Sequence, residues 1–149
     1  MAQWFETKVR YDKTMENGSI KKVTEAYMVD ALSFTEAEAR ISEEISHFTS
    51  DFSVSAVKRT KIAEIFREKM GDKWYLVKVA FITLDEKTAV EKKSISQILV
   101  SADNFKEAYD NFMDGMKGTM ADFEINTIQE TLIMDVYDAN LGGEEKVEA

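Results

Sequence analysis

Two similar stretches, Trp4-Phe-Glu-Thr-Lys-Val-Arg-Tyr11 and Trp74-Tyr-Leu-Val-Lys-Val-Ala-Phe81, decide how this chain of 149 residues is interpreted. They align at an offset of 70 residues. In both stretches apolar side chains alternate with other residues, which predicts a β-strand with one face in the core. The same predicted strand therefore occurs twice in the chain.

The similarity continues beyond the first strand, at an offset of 71 residues. Identical pairs include Lys22 and Lys93, Val29 and Val100, Phe34 and Phe105, Asp51 and Asp122, and Thr60 and Thr131. A colinear set of matches at a fixed period indicates an internal repeat. We therefore predict a tandem duplication, with repeat one over residues 3–67 and repeat two over residues 73–138.

Each repeat predicts two strands, a helix and a long last strand. Ser33 and Asn104 each precede a Glu by three residues, the capping-box pattern of a helix start. Gly115 and Gly118 follow the second helix and predict its end. The last strands cover 52–66 and 123–137. Their alternation slips near Lys58 and Gln129, which predicts either a bulge or a break into two strands.

These elements predict an α+β fold in which tandem duplicated β-β-α-β units form an antiparallel sheet with two helices packed on one side. We expect a single pseudo-twofold domain over residues 1–141, followed by an acidic flexible tail over residues 142–149. A short link between the repeats predicts a hairpin of the last strand of repeat one with the first strand of repeat two.

If each long strand is two strands, residues 52–116 contain four strands and then a helix. This order is similar to that of PUR-repeat and Whirly-type single-strand nucleic-acid binders, circularly permuted. The similarity concerns the fold alone, and a shared fold does not determine function.

Composition removes several classes of chemistry. The chain has no Cys and a single His, His47, so it has no disulfide, no thiol nucleophile and no cysteine metal site. The carboxylates show neither an acid–base dyad nor metal-ligand spacing. We therefore expect no enzyme activity, no catalytic residue, no metal and no cofactor. No apolar run is long enough to span a membrane and the amino terminus lacks a signal-peptide pattern, so we expect a cytoplasmic protein that does not bind membranes.

The charge is unevenly distributed along the sequence. The chain has 19 basic and 28 acidic residues, a formal net charge of −9. Residues 1–70 carry 11 basic and 12 acidic side chains, whereas residues 71–149 carry 8 and 16. The acidity argues against a general basic surface for phosphates, but it leaves room for one local basic face in repeat one.

The strongest candidate for a binding site lies on the first strand of each repeat. Trp4, Lys8 and Arg10 have the parity opposite to the core residues, and Trp74 and Lys78 repeat this arrangement. An exposed indole can stack a base while neighbouring cations hold its phosphates. Additional cations of repeat one extend the prediction to Lys21, Lys22, Lys58, Arg59 and Lys61. We predict that these residues contact single-stranded DNA or RNA.

Two other interpretations stay open. Trp74 shares its face with Leu76, Ala80 and Ile82, so that face is also suited to packing or to a subunit contact, and a homo-oligomeric structural protein could pair its exposed strand edges. The acidic second repeat is suited to a protein-interaction or inhibitory factor that engages a basic protein partner.

The chain also resembles a known family. Trp4-Phe5, the segment from Leu32 to Ala39, the segment from Gly115 to Asp122, and the segment from Ile133 to Val136 carry the similarity. The family consists of short bacterial and phage proteins known only as a domain of unknown function. The resemblance covers nearly the whole chain, and it implies no activity and no site residues.

Overall fold

The computed structural model describes residues 3–138. Eight strands and two helices follow one another in the order β-β-α-β-β-β-β-α-β-β. Their bounds are β1 Gln3–Thr14, β2 Ile20–Ala31, α1 Phe34–Ile45, β3 Phe52–Arg59, β4 Ile62–Phe66, β5 Lys73–Leu84, β6 Glu91–Ala102, α2 Phe105–Gly115, β7 Asp122–Glu130 and β8 Ile133–Tyr137. The predicted α+β class is confirmed. The predicted acidic tail, residues 142–149, lies outside the described residues.

The prediction of one antiparallel sheet is wrong. The strands form two four-stranded sheets, in the orders β3-β1-β2-β8 and β4-β6-β5-β7. Each sheet contains one parallel pair, β2 with β8 and β4 with β6. The predicted hairpin of β4 with β5 is also wrong, because β6 and β7 occupy the two edges of β5.

The long last strand of each repeat is bulged and then broken, so both explanations of the lost alternation hold. Ser55 is unmatched in the register of β3 with β1, and Asn126 is unmatched in that of β7 with β5. Such an extra residue shifts the following side chains to the other face. The break follows at Thr60 and at Thr131, which lie just beyond the ends of β3 and β7.

The same hydrogen bonds mark both breaks. The Thr60 amide and hydroxyl donate to the carbonyl of Trp4, at 3.0 and 2.8 Å. The Thr131 amide and hydroxyl donate to the carbonyl of Trp74, at 2.9 and 2.8 Å. These bonds end the pairing of β3 with β1 and of β7 with β5, which frees the next residues to form β4 and β8.

The helices begin where the capping boxes predict. The Ser33 hydroxyl accepts from the Glu36 amide at 3.1 Å, and the Asn104 side chain accepts from the Glu107 amide at 2.9 Å. Both side chains therefore satisfy amides that have no partner inside the helix. After α2, which ends at Gly115, Gly118 has a φ of +87° and confirms the predicted helix end.

The chain divides into two compact units, and the division does not follow the predicted repeats. Among the described residues, the first unit is 3–60 with 133–138 and the second unit is 61–132. β4 and β8 each join the sheet formed by the other half of the sequence. The pseudo-twofold single domain stays a prediction.

Each unit has its own core between its helix and one face of its sheet. In the first unit Phe5, Val9 and Val29 pack with Ile41 and Ile45 of α1. In the second unit Val77, Val79 and Val100 pack with Phe112 and Met116 of α2. No helix within residues 3–138 is long and apolar enough to cross a membrane.

The units do not carry the charge asymmetry of the sequence halves. Among the described residues, the first unit has 8 basic and 12 acidic residues, and the second has 10 and 13, so the formal net charges of these residues are −4 and −3. The exchange of β4 and β8 between the halves contributes to this near equality.

Candidate nucleic-acid interface

The strand register assembles part of the predicted site on one face of the first sheet. Lys8 and Arg10 lie on β1, opposite Ala26 and Thr24 of β2. Lys22 of β2 pairs with Asp12, and Lys58 of β3 pairs with Glu6. Paired residues project from the same side of a sheet, and alternate residues do so along a strand. Four cations therefore share the side opposite α1, and we call them the cationic face: Lys8, Arg10, Lys22 and Lys58.

The accessible part of this side lies toward the β1–β2 turn. At the other end Met28 and Asp30 are buried, and Trp4, which pairs with Asp30, is half-buried. Lys8, Arg10 and the residues paired with Arg10 on both neighbouring strands are exposed. Small neighbours leave room around these cations, since Thr24 and Ser53 flank Arg10.

The cations of the cationic face form no ion pair within residues 3–138, although Glu6 and Asp12 lie on the same side as cross-strand neighbours of Lys58 and Lys22. Of the eight cations in the first unit as described, only Arg40 forms an ion pair, with Glu36 at 2.8 Å. In the second unit five lysines form ion pairs: Lys69, Lys73, Lys92, Lys93 and Lys117. A phosphate can therefore bind the cationic face without displacing a carboxylate from it.

Three of the predicted cations are not on the cationic face. Arg59 lies on the helix side of the first sheet, where its guanidinium stacks on Phe5 at 5.7 Å and on Phe34 at 5.2 Å. Lys21 pairs with Lys13 and does not share a strand face with Lys22, because adjacent residues of a strand project to opposite sides. Lys21 therefore lies on the helix side of the first sheet. Lys61 is exposed in the connection from β3 to β4.

The second unit departs further from the prediction. Trp74 is only 3% exposed, so the expectation of an exposed indole at this position is wrong. Lys78 is half-buried on the same side of β5, and Ala80 beside it is buried. The packing interpretation of this side is the one that agrees with the observed burial.

Residues 3–138 contain no cluster of three or more His, Asp or Glu side chains arranged to hold a metal ion. His47 is exposed just after α1. Gly115, Lys117 and Gly118 lie at the carboxyl end of α2, where the helix dipole disfavours an anion.

A tyrosine cluster in the first unit was missed by the sequence analysis. The hydroxyl groups of Tyr11 and Tyr27 both donate to Glu25. The hydrogen bond from Tyr11 to Glu25 is the largest cause that raises the pKa of Tyr11 to about 12, followed by burial and by the charge of Glu25. Burial and then the negative charges of Asp135 and Glu44 raise the pKa of Tyr137 to about 12. The pKa of Tyr27 is also raised, mainly by burial and next by the negative charge of Glu25.

The sequence did contain a signal for this cluster. Glu25 has the parity of the core residues Tyr27 and Val29, so an acidic side chain stands where alternation requires an apolar one. A charge on the core side of a strand needs a hydrogen-bonding partner. The partners are tyrosines on the same side of β1 and β2.

Comparison with known proteins identifies a family but no characterised relative. No curated protein sequence matches the chain, and no solved structure matches it. One family model, described as a domain of unknown function, matches residues 3–139. The match covers nearly all of the chain, including both units as described. The chain therefore belongs to the family of the domain of unknown function DUF4494.

Proposed function

We propose that this protein is a non-enzymatic module that binds single-stranded DNA or RNA through the cationic face. The observation that carries the proposal is the strand register, which brings Lys8, Arg10, Lys22 and Lys58 to one side of the first sheet. Residues two apart on a strand are about 7 Å apart, so Lys8 and Arg10 can engage successive phosphates of an extended strand. The half-buried Trp4 on the same side offers part of an indole surface for stacking.

The free state of these cations supports the proposal. Binding of a phosphate by a cation releases counterions from the nucleic acid, which is the main source of affinity for a backbone. A cation already paired with a carboxylate must lose that partner first. The cations of the cationic face form no ion pair within the described residues, whereas five lysines of the second unit do.

Strand pairing between copies is the less favoured alternative. The outer strands are β3 and β8 in the first sheet and β4 and β7 in the second, and β3 and β7 each carry a bulge, at Ser55 and at Asn126. Bulges twist a strand edge and hinder its pairing with another chain.

The net charge of −4 on the first unit as described limits any interaction with phosphates to the local face, so we expect modest affinity with a steep dependence on salt.

The correspondence of the two breaks in β-structure supports a duplication, which we include in the proposal. Thr60 and Thr131 make the same pair of hydrogen bonds to Trp4 and Trp74. On this view one copy kept or acquired the cations while the other has Ala80 at the position of Arg10.

The test is a fluorescence-anisotropy titration of labelled single-stranded DNA and RNA at several salt concentrations. We expect log K to fall linearly with log salt, with a slope of about −0.7 for each phosphate contacted. The double variant Lys8→Gln, Arg10→Gln should weaken binding at low salt and reduce the slope by about one to two. Trp4→Ala should weaken binding by at least about tenfold if the indole stacks a base.

The matched control removes two cations from the second unit. Lys92→Gln, Lys93→Gln changes the net charge by the same amount, at exposed positions that lie opposite residues of β5. An equal loss in both double variants would contradict the proposal, as would binding that does not respond to salt. Light scattering on the same samples reports a homo-oligomer, the outcome expected of a structural protein.

A further inference from the structure

The first unit contains a cleft at the carboxyl end of α1. Its volume is about 350 Å³, and it lies between the last residues of α1, the strands β1 and β2, and β8. Six of the lining residues supply its chemistry: Tyr11, Glu25, Tyr27, Phe48, Asp135 and Tyr137. Four of the six are aromatic and the other two are acidic.

A carboxylate is held in place within this aromatic surface. Oε1 of Glu25 accepts from the Tyr11 hydroxyl at 2.7 Å and from the Tyr27 hydroxyl at 3.1 Å. Oε2 of Glu25 accepts no hydrogen bond from any residue within 3–138. Tyr27 and Tyr137 stack with their centroids 5.9 Å apart and an angle of 21° between the ring planes. The negative charge is therefore fixed in position and only partly neutralised.

The surroundings of the cleft favour a positive charge. Asp135 contributes a second carboxylate, and α1 ends at Ile45 with no basic residue in its last turn. The carboxyl end of a helix carries a partial negative charge. Lys13 is the one cationic side chain among the lining residues. Phe48 is 74% exposed at the mouth of the cleft, where an apolar ring has no role in a core.

The fold itself does not need this cluster. In the second unit the corresponding register positions of Tyr11, Glu25 and Tyr27 hold Phe81, Ser96 and Ile98. Phe112 stands there in place of Ile41 and packs on Phe66 and Phe123, both at 6.0 Å between centroids. The same backbone arrangement thus forms with an apolar filling, and the polar cleft of the first unit is a separate feature.

We propose that this cleft binds an organic cation, either an alkylammonium or a guanidinium group. Aromatic faces attract such cations through the ring quadrupole, and a neighbouring carboxylate completes the neutralisation. The group reaches Oε2 of Glu25 while its alkyl or planar surface lies against the tyrosine rings and Phe48. This site lies on the helix side of the first sheet, opposite the cationic face, and does not depend on nucleic-acid binding.

The experiment is an NMR titration of the ¹⁵N-labelled full chain with tetramethylammonium chloride. We expect saturable shifts in the amides of Glu25, Phe48 and Tyr137, with little change elsewhere. Tert-butyl alcohol has nearly the same shape and no charge, so it serves as the neutral probe and should shift these amides much less. Sodium chloride at equal ionic strength corrects for salt.

Two variants separate binding from folding. Glu25→Gln keeps the side-chain size and should raise the Kd for tetramethylammonium by about tenfold or more, because the fixed charge is lost. Glu38→Gln is the matched control, since Glu38 is an exposed acid on α1 of the same unit, and it should leave the Kd unchanged. If Glu25→Gln does not fold, Phe48→Ala gives the second measurement, with an expected loss of about threefold at an exposed position.

A second titration, with a lysine peptide, distinguishes a protein side chain from a small amine as the source of the cation. A peptide of sequence Gly-Gly-Lys-Gly-Gly, blocked at both ends, presents the ammonium of a protein side chain. Tighter binding of this peptide indicates a basic protein partner, and tighter binding of tetramethylammonium indicates a small quaternary amine. Shifts that do not saturate, or that equal those of the neutral probe, or a Kd unaffected by Glu25→Gln would overturn the proposal.

Discussion

The two units use one strand register to enclose two different interiors. In the second unit Phe112 lies between Phe66 and Phe123, and aromatic rings occupy the space below α2. In the first unit Ile41 takes the position of Phe112, and the space toward the end of α1 is a cleft that contains Glu25. Both units have a cavity near the carboxyl end of the helix, and its lining is different in each unit. The comparison shows that the strand order specifies the backbone frame, whereas a few core positions decide which side chains fill it.

The opposite sides of the two sheets differ in a similar way. On β1 this side carries Glu6, Lys8 and Arg10, and at the same register on β5 it carries Leu76, Lys78 and Ala80. The positions in the first unit are largely exposed, while Ala80 is buried. Both candidate sites, the cationic face and the cleft, consequently belong to the first unit.

The largest expected effect is on stability, when a ring is removed from the aromatic core of the second unit. Phe112→Ala removes a fully buried ring and should lower the free energy of unfolding by about 3–5 kcal/mol. The exposed ring of Phe48 provides the contrast, and Phe48→Ala should change this free energy by no more than about 0.5 kcal/mol. Urea denaturation followed by tryptophan fluorescence measures both. A loss of similar size in the two variants would break the comparison.

A smaller loss of stability, equal in the two units, is expected at the strand breaks, where both units have the same hydrogen bonds. Thr60→Val and Thr131→Val each remove a hydroxyl that donates to a tryptophan carbonyl, while they retain the side-chain shape. Each should lower the free energy of unfolding by about 1 kcal/mol. The same denaturation experiment applies. Values that differ by more than about 1 kcal/mol would show that the two breaks are not equivalent in energy.

The tyrosine cluster predicts a pH dependence that belongs to the first unit. The pKa values of Tyr11 and Tyr137 are raised to about 12, so the folded protein favours the neutral phenols. The associated stability is fully present below pH 10 and is lost as the pH rises from 10 toward 12. Tyr11→Phe should reduce this loss of stability at alkaline pH. Thermal melting at several pH values measures it.

The control for that measurement is Tyr109→Phe, at an exposed position on α2. It should leave the pH dependence of melting as it is in the unaltered chain. If Tyr109→Phe and Tyr11→Phe change the alkaline loss equally, the cluster around Glu25 is not its source.

The smallest effect concerns the two indoles. Trp74 is buried and Trp4 is half-buried, so acrylamide should quench Trp4 more strongly. Trp74→Phe leaves the emission of Trp4, and Trp4→Phe leaves that of Trp74. Stern–Volmer constants of the two variants give the comparison directly, and a larger constant for Trp74 would contradict the observed burial.

Much of the local structure was predictable because its causes are local. Ser33 and Asn104 cap helices through side-chain contacts three residues away, which a sequence pattern records. The lost alternation of the last strands predicted either a bulge or a break, because side-chain parity changes wherever a residue is added, and the structure contains both. The cationic face was predicted in part, since Lys8 and Arg10 follow strand parity.

The pairing of β4 and β8 was not predictable in the same way. Both are parallel pairings between residues far apart in the sequence, and alternation within a strand does not indicate its neighbour. The division of the cations shows the same limit. Lys58 and Arg59 are adjacent in sequence, but the register sends one to the cationic face and the other to the rings of Phe5 and Phe34.

The sequence alone determined the α+β class, the order of the elements in each half up to the long strand, and the absence of cysteine chemistry. These properties depend on composition and on periodicities of a few residues. Tertiary structure decided that there are two sheets, that Trp74 is buried, and that Glu25 meets two tyrosine hydroxyls. Each of these depends on which distant strands lie side by side, and hydrogen bonds between distant strands follow no local pattern.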